Sequence, residues 1–370
     1  VRAGANLTSR VVENLFWLGR YAERFDVSAR LLRVALGRIA VAGGSRTPAL
    51  VSAIELARRL GVLPEPAEDA PPRERNEHEL LQAIYDPDQP GSLAGNIRSL
   101  MWSATHVRER LSLDHWHSLN ALQRDQQRAQ KTPPTLTEAI AFLDRVLLFS
   151  SSLTGFAMDN MTRDDGWRFL IIGRRLERLA FLAEALAGFL EMKSARGSGA
   201  LDWLLDLMDS TITYRSRYLA VPQLIPVLDL LLLDEQNPHA VLFQLKLVSR
   251  TLRRLNDDFG VPRETGLAPL VERLARFDLG CLEDVSDETL SRLSIVYVDG
   301  RHDRWQAAPA FFSTIICPGA VPPGRPSSLG LATPLPNARA KSCENCWPAS
   351  CMAPVMLPFR SISASVSTVR

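Results

Sequence analysis

Between residues 11 and 39 apolar side chains recur at Val11, Leu15, Leu18, Ala22, Phe25, Ala29, Leu32, Leu36 and Ile39. The alternating steps of four and three predict one long helix with an unbroken apolar seam that must be buried. Its opposite side holds Glu13, Trp17, Arg20 and Arg24. A helix with an aromatic and three charges on its second face is either central to the fold or a binding element.

The same periodicity predicts further helices, each opened by a small polar residue that can accept a bond from a free backbone N–H. Thr8 or Ser9 caps the first, and Thr47-Pro48 opens a second that Gly61 closes. After a proline-bearing connection at 64–72 come a short helix at 76–85 and a turn at 86–91. Ser92 opens a segment reaching Leu111, and Ser112 another reaching Lys131. Beyond Pro133-Pro134 the pattern gives helices at 135–159, 165–193, 201–218, about 223–233, 238–259, 267–278 and about 283–293. No alternating strand of convincing length is present, so the fold class is all-α.

Two segments repeat. A shift of 154 lays Gly19-Arg20-Tyr21-Ala22-Glu23-Arg24 on Gly173-Arg174-Arg175-Leu176-Glu177-Arg178, and a shift of 148 lays Asp86-Pro87-Asp88-Gln89-Pro90 on Asp234-Glu235-Gln236-Asn237-Pro238. Two matches in the same order point to an internal duplication. The expected architecture is a helical bundle of two pseudo-repeats, about 7–132 and 135–295, within one domain at 1–295, followed by an irregular tail at 296–370.

Both copies spell G-R-x-x-E-R, which puts the arginines and the glutamate on neighbouring turns. Glycine inside a helix costs about 1 kcal/mol against alanine, so its presence in both copies predicts close approach of another backbone. The candidate residues are Glu13, Trp17, Arg20, Glu23, Arg24, Trp167, Arg174, Glu177 and Arg178. Three arrangements fit them: an ion-pair network across the pseudo-twofold interface, a polar pocket whose guanidinium groups grip a carboxylate or phosphate, or a solvated face.

At these residues the chain resembles the bacterial Alpha-E family, whose biochemical activity is unknown. The resemblance rests on residues 7–24, on Gly166-Trp167-Arg168-Phe169-Leu170 leading into Gly173–Arg178, on Thr213–Tyr218, and on Leu231–Pro238. It spans roughly residues 7–290 and fades after about Leu293. It implies an all-helical protein that works beside a circularly permuted ATP-grasp ligase and a transglutaminase-like peptidase in making or processing a peptide. It carries no catalytic residue onto this chain.

Composition narrows the remaining choices. The net charge of +2 hides an uneven distribution: residues 301–370 hold seven basic residues against Asp303 and Glu344, leaving 36 basic and 39 acidic residues, or −3, in the first 300. A near-neutral body with alternating signs lacks the sustained basic face of a nucleic-acid binder. No uninterrupted apolar run reaches membrane-spanning length, and Glu13, Arg20, Glu23 and Arg24 interrupt any secretory leader, so the expectation is a cytoplasmic protein without membrane contact. Only Cys281 of five cysteines lies in the body, which argues against a disulfide framework.

The tail from residue 301 gathers ten of the 24 prolines and four of the five cysteines without helical periodicity. Disorder and out-of-frame translation both account for it. Cys343-x-x-Cys346, with Cys351 nearby, lacks a second pair of ligands, and His115 and His117 point to different sides of a helix, so no metal site is expected. Nor is there a Walker loop, dinucleotide fingerprint or nucleophile elbow, so no cofactor is expected. Asp159, Asp164 and Asp165 suit the dipole of the helix they precede.

The leading functional expectation is a non-catalytic or substrate-presenting partner of a peptide-ligating enzyme. Its rival is an enzyme on a peptide or amino-acid substrate, with Glu23 or Glu177 as general base and the arginines as an anion clamp. Burial would raise such a glutamate's pKa and the arginines would lower it, a competition that geometry decides.

Overall fold

The computed structural model describes residues 7–42, 47–64, 72–130, 135–192, 199–218, 221–259 and 267–282. The helix expected at 283–293 and the whole tail, with Cys343, Cys346 and Cys351, lie outside the described residues. Within them the elements are α1 (Ser9–Ala42), α2 (Pro48–Arg59), α3 (Pro72–Tyr85), α4 (Leu93–Thr105), α5 (Leu113–Ala129), α6 (Leu136–Asp159) and α7 (Asp165–Glu191). There follow α8 (Ala200–Leu207), α9 (Thr211–Tyr218), α10 (Leu224–Leu228), α11 (Val241–Phe259) and α12 (Ala268–Ala275). No strand occurs among the described residues, and the chain is all-α.

The caps explain where the helices begin. Thr47, Ser92 and Ser112 accept from the backbone N–H groups of Leu50, Gly95 and His115 at 3.0–3.3 Å. Thr135 and Glu138 form a full capping box at the start of α6. Asp164 accepts from Trp167 N–H at 2.9 Å and also pairs with Arg110, so the acidic cluster before α7 is a cap tied to the turn preceding α5.

Two sequence boundaries are corrected, and one expected helix changes its winding. The segment read as one helix at 92–111 ends at Thr105, because Val107 leaves helical geometry (φ −128°, ψ 26°) and a short 3-10 turn follows at Arg108–Arg110. The segment read as 201–218 is two helices, broken where Asp209 takes φ +50°, a left-handed conformation that aspartate tolerates better than most residues. Ser210 N–H then closes back on Leu205 O at 2.9 Å, and Ser210 O accepts from Tyr214 N–H to start α9. Finally, α10 widens into a π-turn at Asp229–Leu233, sealed by Asp234 N–H on Asp229 O.

The hub is α1. It runs against α7 and also touches α2, α3, α4, α6 and α8, while α11 packs on α7. The seam residues Leu15, Leu18, Phe25, Ala29, Leu32, Leu36 and Ile39 are buried, but so are Val12, Phe16, Leu31 and Ala35, so burial extends well beyond the expected stripe. Among the described residues one helix, α6, is long and apolar enough to cross a membrane by length and composition alone; in the fold its Phe142, Leu143 and Val146 are buried in the bundle.

The two repeated turn segments make the same local contact. Asp86 accepts from Asp88 N–H at 2.9 Å, and Asp234 accepts from Gln236 N–H at 2.7 Å. Both are Asx turns that reverse the chain before a long helix.

Candidate functional site

The crossing of α1 and α7 is set by two glycines. A Cβ on Gly19 would stand 2.0 Å from Leu170 O, and one on Gly173 would stand 2.2 Å from Phe16 O. Each glycine therefore receives the opposite helix's carbonyl where any side chain would collide with backbone. This close approach brings the arginines and glutamates that follow each glycine within direct reach of one another.

The pairing is reciprocal. Glu177 of α7 accepts from Arg20 at 2.6 Å and from Arg24 at 2.5 Å, both on α1. Glu23 of α1 accepts from Arg174 at 3.2 Å and from Arg178, both on α7. Glu23 is 1% exposed and Glu177 9%, so the carboxylates are withdrawn from water and depend on these guanidinium groups. Burial alone would push the Glu177 carboxyl up, yet Arg20 and Arg24 outweigh it and bring it down to about 2. In the competition posed by the sequence, the arginines win at Glu177. A carboxylate so acidic, with both oxygens engaged, is a poor general base at neutral pH.

Around this clasp lies a second circle of charge. Arg30 bonds Asp26 at 2.9 Å and Asp209 at 3.2 Å, and Asp26 and Asp209 both act favourably on Arg178. His239 approaches Asp209 at 4.0 Å; burial first, and then Arg178, push its imidazole down to about 4, so it is neutral. On α1, Trp17 stacks on Tyr21 with ring centroids 5.6 Å apart, Arg20 lies 5.3 Å over Trp17, and Arg24 lies 5.5 Å over Tyr21. The half-buried aromatics thus hold the stems of the very arginines that grip Glu177.

Two of the candidates stand outside the clasp. Trp167 spends its indole N–H on Ala157 O at 2.8 Å and lies under Arg163, at the corner between α6 and α7. Glu13 is half-buried, its carboxyl raised by desolvation, and it has no hydrogen-bonding or ionic partner among the described residues. Each lies seven residues before the first motif arginine of its helix, about 10 Å along the axis, too far to join the same cluster.

One residue of the second motif carries a role that the motif pattern does not reveal. Arg175, half-buried, has no carboxylate partner among the described residues, and desolvation followed by its neighbours Arg178 and Arg174 lowers its pKa to about 10. The position matched by the shift of 154 is Tyr21, so the only signal in the sequence was this tyrosine-to-arginine difference. Within the clasp four guanidinium groups (Arg20, Arg24, Arg174, Arg178) share two carboxylates (Glu23, Glu177), and Arg175 beside it adds a further positive charge. The centre of the bundle carries excess positive charge.

Among the described residues no group of three His, Cys, Asp or Glu is placed to hold a metal ion. His115 is buried against Phe156, its ring centroid 5.6 Å away, while His117 on the same helix is exposed.

An uncharacterized protein of Mycobacterium bovis and one of Mycobacterium tuberculosis are each 30% identical to the chain over 313 residues, covering 76% of it. The chain spans about a third of the length of these curated relatives, 34% of each. No solved structure matches it. Residues 7–300 match a family described as a predicted alpha-helical domain with a conserved ER motif. Glu-Arg pairs occupy the heart of the clasp at Glu23-Arg24 and Glu177-Arg178, and the chain belongs to the Alpha-E family.

Proposed function

We propose that this helical domain is a non-catalytic, substrate-presenting or recruiting partner in a peptide synthesis or processing system built on an ATP-grasp-type ligase and a transglutaminase-like protein. The observation that carries the reading is the saturation of the motif carboxylates. Glu23 and Glu177 each hold two arginines of the opposite helix, which leaves neither disposed to take a proton from a substrate. A further support is proportion: the mycobacterial relatives place the matching region in about a third of a longer chain, an arrangement suited to a domain that works beside another activity. The half-buried Trp17–Tyr21 stack, backed by Arg20 and Arg24, is the recognition face we assign to it.

A cytoplasmic setting belongs to the same proposal. So does descent from a duplicated unit, which the reciprocal clasp and the matching Asx turns support.

The test is association of the full chain with an ATP-grasp-type ligase from the same organism, measured by calorimetry. Binding that weakens at least tenfold in Trp17→Ala, with helical content unchanged, is the expected result. Turnover of a peptide by the chain alone, abolished in Glu23→Gln while the fold persists, would replace this reading with an enzymatic one.

A further inference from the structure

Beside the clasp, α1, α4, α5, α6 and α7 enclose a small cavity of about 20 Å³, enough for a single water-sized or halide-sized particle. Two polar side chains that line it have atoms without a partner. Arg174 is 8% exposed and its Nε–H finds no acceptor, since its bond to Glu23 is made by a terminal nitrogen. His115 is 4% exposed and its Nδ1 is equally unsatisfied. Ser150 adds a hydroxyl to the lining, and Leu18, Leu100 and Leu153 supply apolar wall. Buried donors are ordinarily satisfied, and leaving one unmade costs about 1–3 kcal/mol.

We propose that this cavity is a binding site for one monovalent halide-sized anion, held between Arg174 Nε–H and a His115 Nδ1–H. The charge of the surroundings decides between an anion and a neutral water. Four guanidinium groups of the adjoining clasp share two carboxylates, and Glu23, the partner of Arg174, is also shared with Arg178. An anion here supplies the missing negative charge, accepts both N–H groups, and tolerates the apolar wall because it is weakly hydrated. Among the described residues Arg174 is the only charged side chain lining the cavity, so no carboxylate in that lining opposes the ion. The imidazole is neutral because burial and Arg174 hold it down at about 4, and a neutral imidazole still offers one N–H.

The experiment compares thermal unfolding of the full chain in sodium chloride, sodium bromide and sodium gluconate at equal ionic strength, alongside crystals grown in bromide. Halide should raise Tm by about 2 °C or more in a saturable way, since only the folded state holds the site. A bromide anomalous peak should stand within hydrogen-bond distance of Arg174 Nε and His115 Nδ1. His115→Leu, which removes one donor, and Ala157→Leu, which fills the cavity, should both lose the halide-specific increment. Equal Tm in all three salts, a water in the cavity with no anomalous signal, or a His115→Leu protein that keeps the increment would overturn the proposal. Should either variant fail to fold, the wild-type anomalous map decides alone.

Discussion

Gly19→Ala is the sharpest probe of the crossing. The added methyl would meet Leu170 O at 2.0 Å, whereas real Cβ atoms stay beyond 3.0 Å, so α1 and α7 must part by at least about 1 Å. A gap of 0.5–1 Å already forfeits about a quarter to a half of the attraction between facing atoms. Overpacking costs about 1–3 kcal/mol, and the upper end applies because the obstacle is backbone of a long, fully packed helix. Alanine returns about 1 kcal/mol through its helix propensity, leaving a net loss of about 2 kcal/mol. Gly173→Ala should cost the same through Phe16 O, and the double variant less than the sum, because one separation accommodates both methyls. Urea unfolding followed by circular dichroism measures all three. A rise in the unfolding midpoint for Gly19→Ala, as at a solvent-facing glycine, would refute the close crossing.

Glu177→Gln should destabilise the fold by about 2–3 kcal/mol, less than for a fully buried pair because Arg20 and Arg24 keep partial access to water; a denaturation midpoint within error of wild type would show the clasp to be idle. Glu177 titrates at about 2 when folded against 4.5 as reference, so the unfolded chain binds the proton more readily; stability should be complete above about pH 5 and drain away as pH falls toward 2, a slope that Glu177→Gln abolishes in pH-dependent unfolding. His115 and His239, both lowered from 6.5 to about 4, obey the same sign: in chloride-free buffer each withdraws stability between about pH 6.5 and 4, and NMR titration of the imidazoles should find neither charged at pH 6.

Much of this was legible in the sequence because helices write their faces at a fixed period. The seam of α1, the caps Thr47, Ser92, Ser112 and Thr135, and the paired glycines each follow from spacing alone. Partnership across the crossing was harder to read: a network across the interface was one of three arrangements that fitted the residues, and the spacing of Arg20 and Glu23 is equally compatible with pairing on their own helix. Instead each glutamate ignores its own helix and takes both arginines from the other. Spacing cannot show this, since it depends on how two helices rotate when glycines let their backbones touch. Arg175, Asp209 and His239 were hidden for a related reason, being assembled from α7, the break after α8 and the turn before α11. Asp209 looked like an interior helix residue; only its left-handed backbone turns it toward Arg30.

The reciprocal clasp also sets a schedule for synthesis. The seat of α1 is α7, which begins at Asp165, so the first helix emerges some 120 residues before its companion starts. At about 5–20 residues per second, that is an interval of roughly 6–25 s in which an apolar rod with unmatched charges waits in the cell. The earlier helices can pack α1 against α2, α4 and α6 as they are released, but Glu23 is left without its partner on α7 in any nascent chain cut short before residue 174.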